Sequence, residues 1–124
     1  MSRIQSHRDQ IVWQKGMDLA IQMFAIASEL PASHRFVMVP QMTRAAISVP
    51  ANIAEGYGRA STRDYAHRLT IARGSLLEVD TSVVLAVRAG YITTVVAEPI
   101  LALIEEIGKM LTALRSRVLA SAES

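Results

Sequence analysis

Between Arg44 and Arg59 the chain reads RAAISVPANIAEGYGR. This run restricts the fold more than any other. Its alanines and isoleucines suit a helix, yet Pro50 falls where a helix interior should be, deletes the bond to the carbonyl of Ala46 and should bend the axis. The small residues Ala45, Ala46, Ser48, Ala51 and Ala54 allow a neighbouring helix to approach closely. Gly56 and Gly58 then offer the left-handed conformations that stop helices. The run holds no obvious reactive group, so it bears on architecture more than on chemistry.

The rest of the chain supplies three further helices. From Trp13 to Leu30 two apolar stripes run side by side: Trp13, Met17, Ala20, Phe24 and Ala27, and Leu19, Met23, Ile26 and Leu30. Spacings of three and four make this a helix whose wide apolar face meets more than one neighbour, and Pro31 ends it. Residues 31–39 read as a loop, with Pro40 as a first-turn residue of the second helix. Ser61 caps the third, with Asp64 in its electropositive first turn. A stripe of Tyr65, Leu69, Ala72, Leu76, Val79, Val83 and Ala86 follows, and Gly90 closes the element. Gly74 and Ser75 interrupt its bulk and are expected to face the small surface of the second helix. Pro99 belongs near the start of a fourth helix carrying Ile100, Ile104, Ile107, Leu111, Leu114 and Val118, and residues 120–124 should fray.

No segment shows sustained period-two alternation and the links are short. The expected architecture is therefore all-α: one domain, 1–124, folded as an antiparallel up-down-up-down four-helix bundle with helices at roughly 12–30, 40–57, 62–89 and 95–119.

Composition narrows the setting. There is no cysteine, which removes disulfides, thiolate metal sites and thiol nucleophiles together, as an intracellular chain can do without cost. The longest uncharged runs, Asp18 to Glu29 and Arg44 to Glu55, are about half the ~20 residues that span a bilayer. Arg3, His7, Arg8 and Asp9 precede any apolar stretch, so no export signal is read, and the expected location is cytoplasmic without membrane contact. Net charge is only +2, but the basic side chains are almost all arginines, Lys15 and Lys109 being the only lysines. Arginine offers planar, bidentate contacts to phosphate and carboxylate.

Candidate chemistry is sparse. Asp64 and His67, one turn apart, echo the carboxylate-x-x-His pairs of di-metal bundles, but the second pair and the further carboxylates are missing, and His7 and His34 lie in terminal or loop segments. An exposed first-turn aspartate with an incidental histidine is the stronger reading, so no metal or cofactor is expected. Glu55 and Glu78 sit beside small or apolar residues. Partial burial would require hydrogen bonds or an arginine such as Arg44 or Arg73, and a structural pair outweighs acid–base catalysis because no nucleophile and base are paired. Ser48 and Ser75 lack a nucleophile elbow, and GYGR at Gly56 to Arg59 lacks the lysine and spacing of a phosphate-binding loop. Tyr57 beside Arg59 and Arg63, extended by Arg115 and Arg117, is the best place for a basic surface with an aromatic, able to bind phosphate and stack on a base.

Three stretches carry a family resemblance: IVWQKGMDLA at Ile11 to Ala20, QMTRAAISVPANIAEGYGRAS at Gln41 to Ser61, and ARGSLLEVDT at Ala72 to Thr81. The chain resembles the four-helix bundle proteins encoded in intervening sequences of bacterial 23S ribosomal RNA genes. It is similar also to the accessory protein of diversity-generating retroelements, a basic pentameric barrel that associates with nucleic acid and a reverse transcriptase. The resemblance implies that Ser48, Pro50, Asn52, Glu55, Gly56, Tyr57 and Gly58, with Arg73, Gly74, Ser75 and Glu78, are motif positions of structural kind. Thr43 departs from the basic residues frequent there. What it implies about function is a non-enzymatic, ring-like homo-oligomer, a pentamer, serving as scaffold or accessory with weak electrostatic contact to RNA or DNA and a reverse transcriptase or other protein as partner. The rivals are an enzyme using Asp64, His67, Glu55 or Glu78, and a module that binds only protein.

Overall fold

A computed structural model of the protein describes His7, residues 10–59 and residues 61–123. The early charges Arg3, Arg8 and Asp9 and the side chain of His34 lie outside the described residues. Four helices make up the fold, α1 (Ile11–Glu29), α2 (Ala32–Tyr57), α3 (Thr62–Arg88) and α4 (Thr94–Glu123), and there is no strand among the described residues.

α1 buries Leu19, Ala20, Met23, Ile26 and Ala27, while Met17 and Phe24 of its first stripe stay exposed. Leu30 turns extended ahead of Pro31, and that ends the helix. The expected loop at 31–39 is not there. α2 begins directly after the extended Pro31 and carries both Pro40 and Pro50 inside it. An interior proline costs about 3 kcal/mol. Packing of Met38 and Val39 against the core holds the turns ahead of Pro40 in the helix. At Pro50 the ring is buried, and a Cβ built on Gly16 of α1 would stand 3.4 Å from it.

α3 starts as read: the Asp64 N–H donates to Ser61 Oγ at 3.3 Å. Its stripe from Leu69 to Ala86 is buried. Gly90, at φ 79°, is the left-handed residue that stops it, with the Tyr91 N–H reaching back to the Ala86 carbonyl and the Gly90 N–H to that of Val87. Gly56 and Gly58 are different. Neither has positive φ, so the left-handed role expected of them is corrected. Gly74 also departs from expectation, being exposed with nothing within 4 Å of a built Cβ, whereas Ser75 does face α2. Thr93 caps α4 by accepting from the Val96 N–H at 3.2 Å, and α4 runs through Glu123 rather than fraying from residue 120.

The packing is that of a four-helix bundle. α1 lies against α2 and α4, α3 lies against α2 and α4, and among the described residues the pairs α1/α3 and α2/α4 do not approach. All four helices feed one core, with Leu19, Met23, Met42, Ile53, Leu69, Val83, Ile107 and Leu111 among its buried side chains.

Candidate functional site at the α2–α3 turn

The end of α2 and the start of α3 meet at Gly56. A Cβ there would lie 2.9 Å from Cδ1 of Tyr65 and 3.0 Å from Cβ of Arg68, so bare backbone is what lets the two helices touch. The Tyr65 hydroxyl accepts a hydrogen bond from Gln10 Nε2 at 2.8 Å, tying the entry to α1 to α3. Gln10 is buried, and its Oε1 has no hydrogen-bond partner among the described residues. Burial raises the Tyr65 pKa above the usual tyrosine value, with the neighbouring Tyr57 adding to the rise while the Gln10 bond and the positive charge of Arg117 oppose it.

Tyr57 is half-buried and stands edge-on to Tyr65, with ring centroids 6.5 Å apart, and edge-on to His7 at the same separation. His7 in turn meets Trp13 at 5.2 Å. Tyr57 thus packs over the helix end. Arg59 donates to Glu55 Oε1 at 2.6 Å, and Arg68 reaches the same oxygen at 3.4 Å. The partial burial of Glu55 against Arg44 or Arg73 that the sequence suggests is not found. Instead Glu55 is exposed, and helical i,i+4 geometry together with the close approach at Gly56 supplies its two arginines. Arg44, Arg73 and Glu78 are exposed and form no ion pair among the described residues.

From Arg68 a polar chain runs inward. Arg68 donates to Asn52 Oδ1 at 3.4 Å, Asn52 Nδ2 donates to the Ser48 carbonyl at 2.8 Å and to Ser48 Oγ at 2.9 Å, and Ser48 Oγ lies 2.7 Å from Ser75 Oγ. Buried Asn52 and Ser75 are thereby satisfied.

Of the residues singled out for a basic surface, Tyr57 is the last residue of α2, Arg59 follows the Gly58 cap and Arg63 is exposed in the first turn of α3. Arg115 Nε donates to Thr70 Oγ1 at 2.9 Å. Arg117 acts on Tyr65 and lines a concavity of about 340 Å³ with Gln10, Val12, Met110 and Leu114. Arg63 thus belongs to α3 and Arg115 and Arg117 to α4, while Arg59 follows the end of α2. Sequence reading missed Arg68, Tyr65 and Gln10 as members of this end. For Arg68 a signal existed, since it shares a face with Ala72 and Ser75 at spacings of four and seven. Asp64 and His67 are exposed, and no three His, Asp or Glu side chains among the described residues converge to hold a metal. No helix among them is long and apolar enough to cross a membrane.

A solved structure from Bacteroides thetaiotaomicron, a protein with unknown function from the S23 ribosomal protein family, is similar to this chain. It matches with a TM-score of 0.79 and 29% identity, covering 85% of this chain and 98% of that one. Comparison with curated proteins finds no match. The family model described as 23S rRNA-intervening sequence protein matches residues 8–113, which take in the Gly56 contact, the Ser48–Ser75 bridge and the whole of α2 and α3, and the chain belongs to that family.

Proposed function

We propose that this protein is a non-enzymatic, cytoplasmic scaffold, an antiparallel bundle whose copies assemble into a ring and whose arginine-bearing end contacts RNA or DNA through phosphates. The antiparallel course is supported by paired contacts. Gly56 meets Tyr65 while Ser48 meets Ser75, and Thr70 meets Arg115 while Leu76 meets a Cβ built on Gly108. The pentameric count comes from the family resemblance.

The observation that supports the nucleic-acid reading is the arginine pair at the α2–α3 turn, where Arg59 and Arg68 share Glu55 Oε1 with Arg63 exposed in the first turn of α3 beside them, and Arg115 of α4 bonded to Thr70 of α3. Such a surface attracts phosphate without reading sequence. The half-buried Tyr57 leaves stacking a smaller part than charge. The test is anisotropy of labelled single-stranded RNA and DNA between about 50 and about 200 mM salt, where affinity should fall linearly on logarithmic axes. Absent binding at low salt, or binding indifferent to salt, rejects the electrostatic reading. Light scattering that gives a clean monomer rejects the ring.

A second reading, a module that binds only protein, is favoured by the exposed apolar side chains Met17, Ile21 and Phe24 on α1. Partner capture from extract separates the two: a protein partner retained after nuclease treatment supports it.

A further inference from the structure

Gln10 is only 8% exposed, and its Oε1 has no hydrogen-bond partner among the described residues, although its Nε2 is held by Tyr65. Buried acceptors in folded proteins are nearly always paired, so this one calls for a reason. Gln10 lines the concavity of about 340 Å³ between the start of α1 and the C-terminal half of α4. That concavity is where a donor would come from.

Two further features of the same concavity favour an anion. α1 begins at Ile11 with no side-chain cap among the described residues and no acidic residue in its first turn, which leaves the N–H groups and the positive dipole end of that turn uncompensated. Arg117 is exposed, lines the concavity and forms no ion pair among the described residues. Its charge reaches Tyr65, the residue that holds Gln10, so the guanidinium and the orphaned acceptor are neighbours. The rest of the lining is apolar: Ile11 and Val12 from α1, with Met110 and Leu114 on the α4 face that ends in Arg117, at spacings of four and three. From Met110 to Arg117 that face runs about 10 Å at 1.5 Å per residue, the length of an extended chain of about eight carbons.

We propose that this concavity binds a medium-chain hydroxy acid, its carboxylate between Arg117 and the first turn of α1, its hydroxyl donating to Gln10 Oε1, and its alkyl chain lying along Val12, Leu114 and Met110. Each part of the ligand answers one part of the site. A plain fatty acid would leave the Gln10 acceptor unpaired, and an alcohol would leave Arg117 without a counter-charge. The assignment gives Arg117 a role separate from that of the arginines at the α2–α3 turn. It holds whether or not copies of the chain assemble or nucleic acid is bound.

Equilibrium dialysis of the full chain against β-hydroxyoctanoate, octanoate and the diol in which the carboxylate is reduced to an alcohol tests it. Trp13, the only tryptophan and a first-turn residue of α1, reports the place of binding by its fluorescence. The hydroxy acid should bind saturably, and Trp13 emission should change over the same concentration range. The acid without the hydroxyl and the diol without the charge should each bind about tenfold more weakly. Arg117→Gln should weaken the hydroxy acid about tenfold and abolish its advantage over the diol, and Ile11→Glu should weaken it by placing a carboxylate in the first turn. Both positions are exposed, so both variants should keep the wild-type circular dichroism and thermal midpoint. Failure of the hydroxy acid to bind wild type at about 1 mM, equal affinity for the hydroxy acid and octanoate, or binding that neither variant weakens would overturn the proposal.

Discussion

Gly56 and Tyr65 are in contact across the α2–α3 turn so closely that a methyl group on the glycine would lie 2.9 Å from the aromatic ring. Arg68 Cβ, at 3.0 Å, blocks the other escape. Gly56→Ala should therefore destabilise the fold by about 1–2 kcal/mol, the overpacking cost less the helix-propensity gain of losing a glycine. Gly58 is the control. Its φ is −80° and the nearest atom to a built Cβ is 3.7 Å away, so Gly58→Ala should stay within about 0.5 kcal/mol of wild type. Urea midpoints at one protein concentration measure both, and equal losses would show that the close approach is not the reason for the glycine.

The Ser48–Ser75 bridge should show coupling. Ser48 Oγ serves both Ser75 and Asn52, so removing either hydroxyl strands a polar group inside the α2–α3 interface. Ser48→Ala and Ser75→Ala should each cost about 1 kcal/mol, and the double variant should cost less than their sum by about 0.5–1 kcal/mol. Strict additivity in a double-mutant cycle would mean the two hydroxyls do not share a bond.

Several features of this molecule are legible from residue spacing alone, and they are those in which a residue answers only to its own helix. The α3 stripe, the Ser61 cap and the Gly90 stop are of this kind, because the 3.6-residue repeat and backbone chemistry decide them locally. Pro40 is the counterexample. A proline at the start of a helix and one tolerated inside it look alike until the packing of Met38 and Val39 is known. Gly56 misleads for a related reason, since a glycine required by a neighbour's ring and one required by positive φ are the same letter. The pairing of Glu55 with Arg68 depends on how two helices cross, which no spacing within either helix contains.

Tyr65 should make stability pH-dependent at the alkaline end. An unfolded tyrosine ionises near pH 10, whereas in the fold burial keeps this hydroxyl protonated to higher pH. The unfolded chain therefore releases its proton first. Stability contributed by the neutral phenol is complete below about pH 10 and declines as pH rises beyond it, by at most about 1.4 kcal/mol per pH unit. Tyr65→Phe should lower stability at neutral pH by about 1–2 kcal/mol, because Gln10 Nε2 loses its acceptor, and should remove this part of the alkaline decline. Urea midpoints from pH 8 to pH 11 decide it, and an alkaline decline of equal slope in both proteins would assign it to other groups.

Glu55 offers a test of the basic end in the direction opposite to the usual loss. Its carboxylate is about half exposed and holds Arg59 and Arg68. Exchange for glutamine removes one negative charge and breaks both ion pairs, leaving Arg68 its hydrogen bond to Asn52, while an ion pair so exposed stabilises the fold by less than about 1 kcal/mol. If phosphates dock here, Glu55→Gln should bind single-stranded RNA more tightly than wild type and with a steeper salt dependence. Arg63→Gln should bind more weakly, with the logarithmic salt slope reduced by about 0.7 because one fewer phosphate is neutralised. The two variants keep the shape of the α2–α3 turn and change only its charge. Opposite shifts in affinity at about 50 mM salt that converge as salt rises would place nucleic acid on this surface. Unchanged affinity in both would move any nucleic-acid binding elsewhere on the bundle.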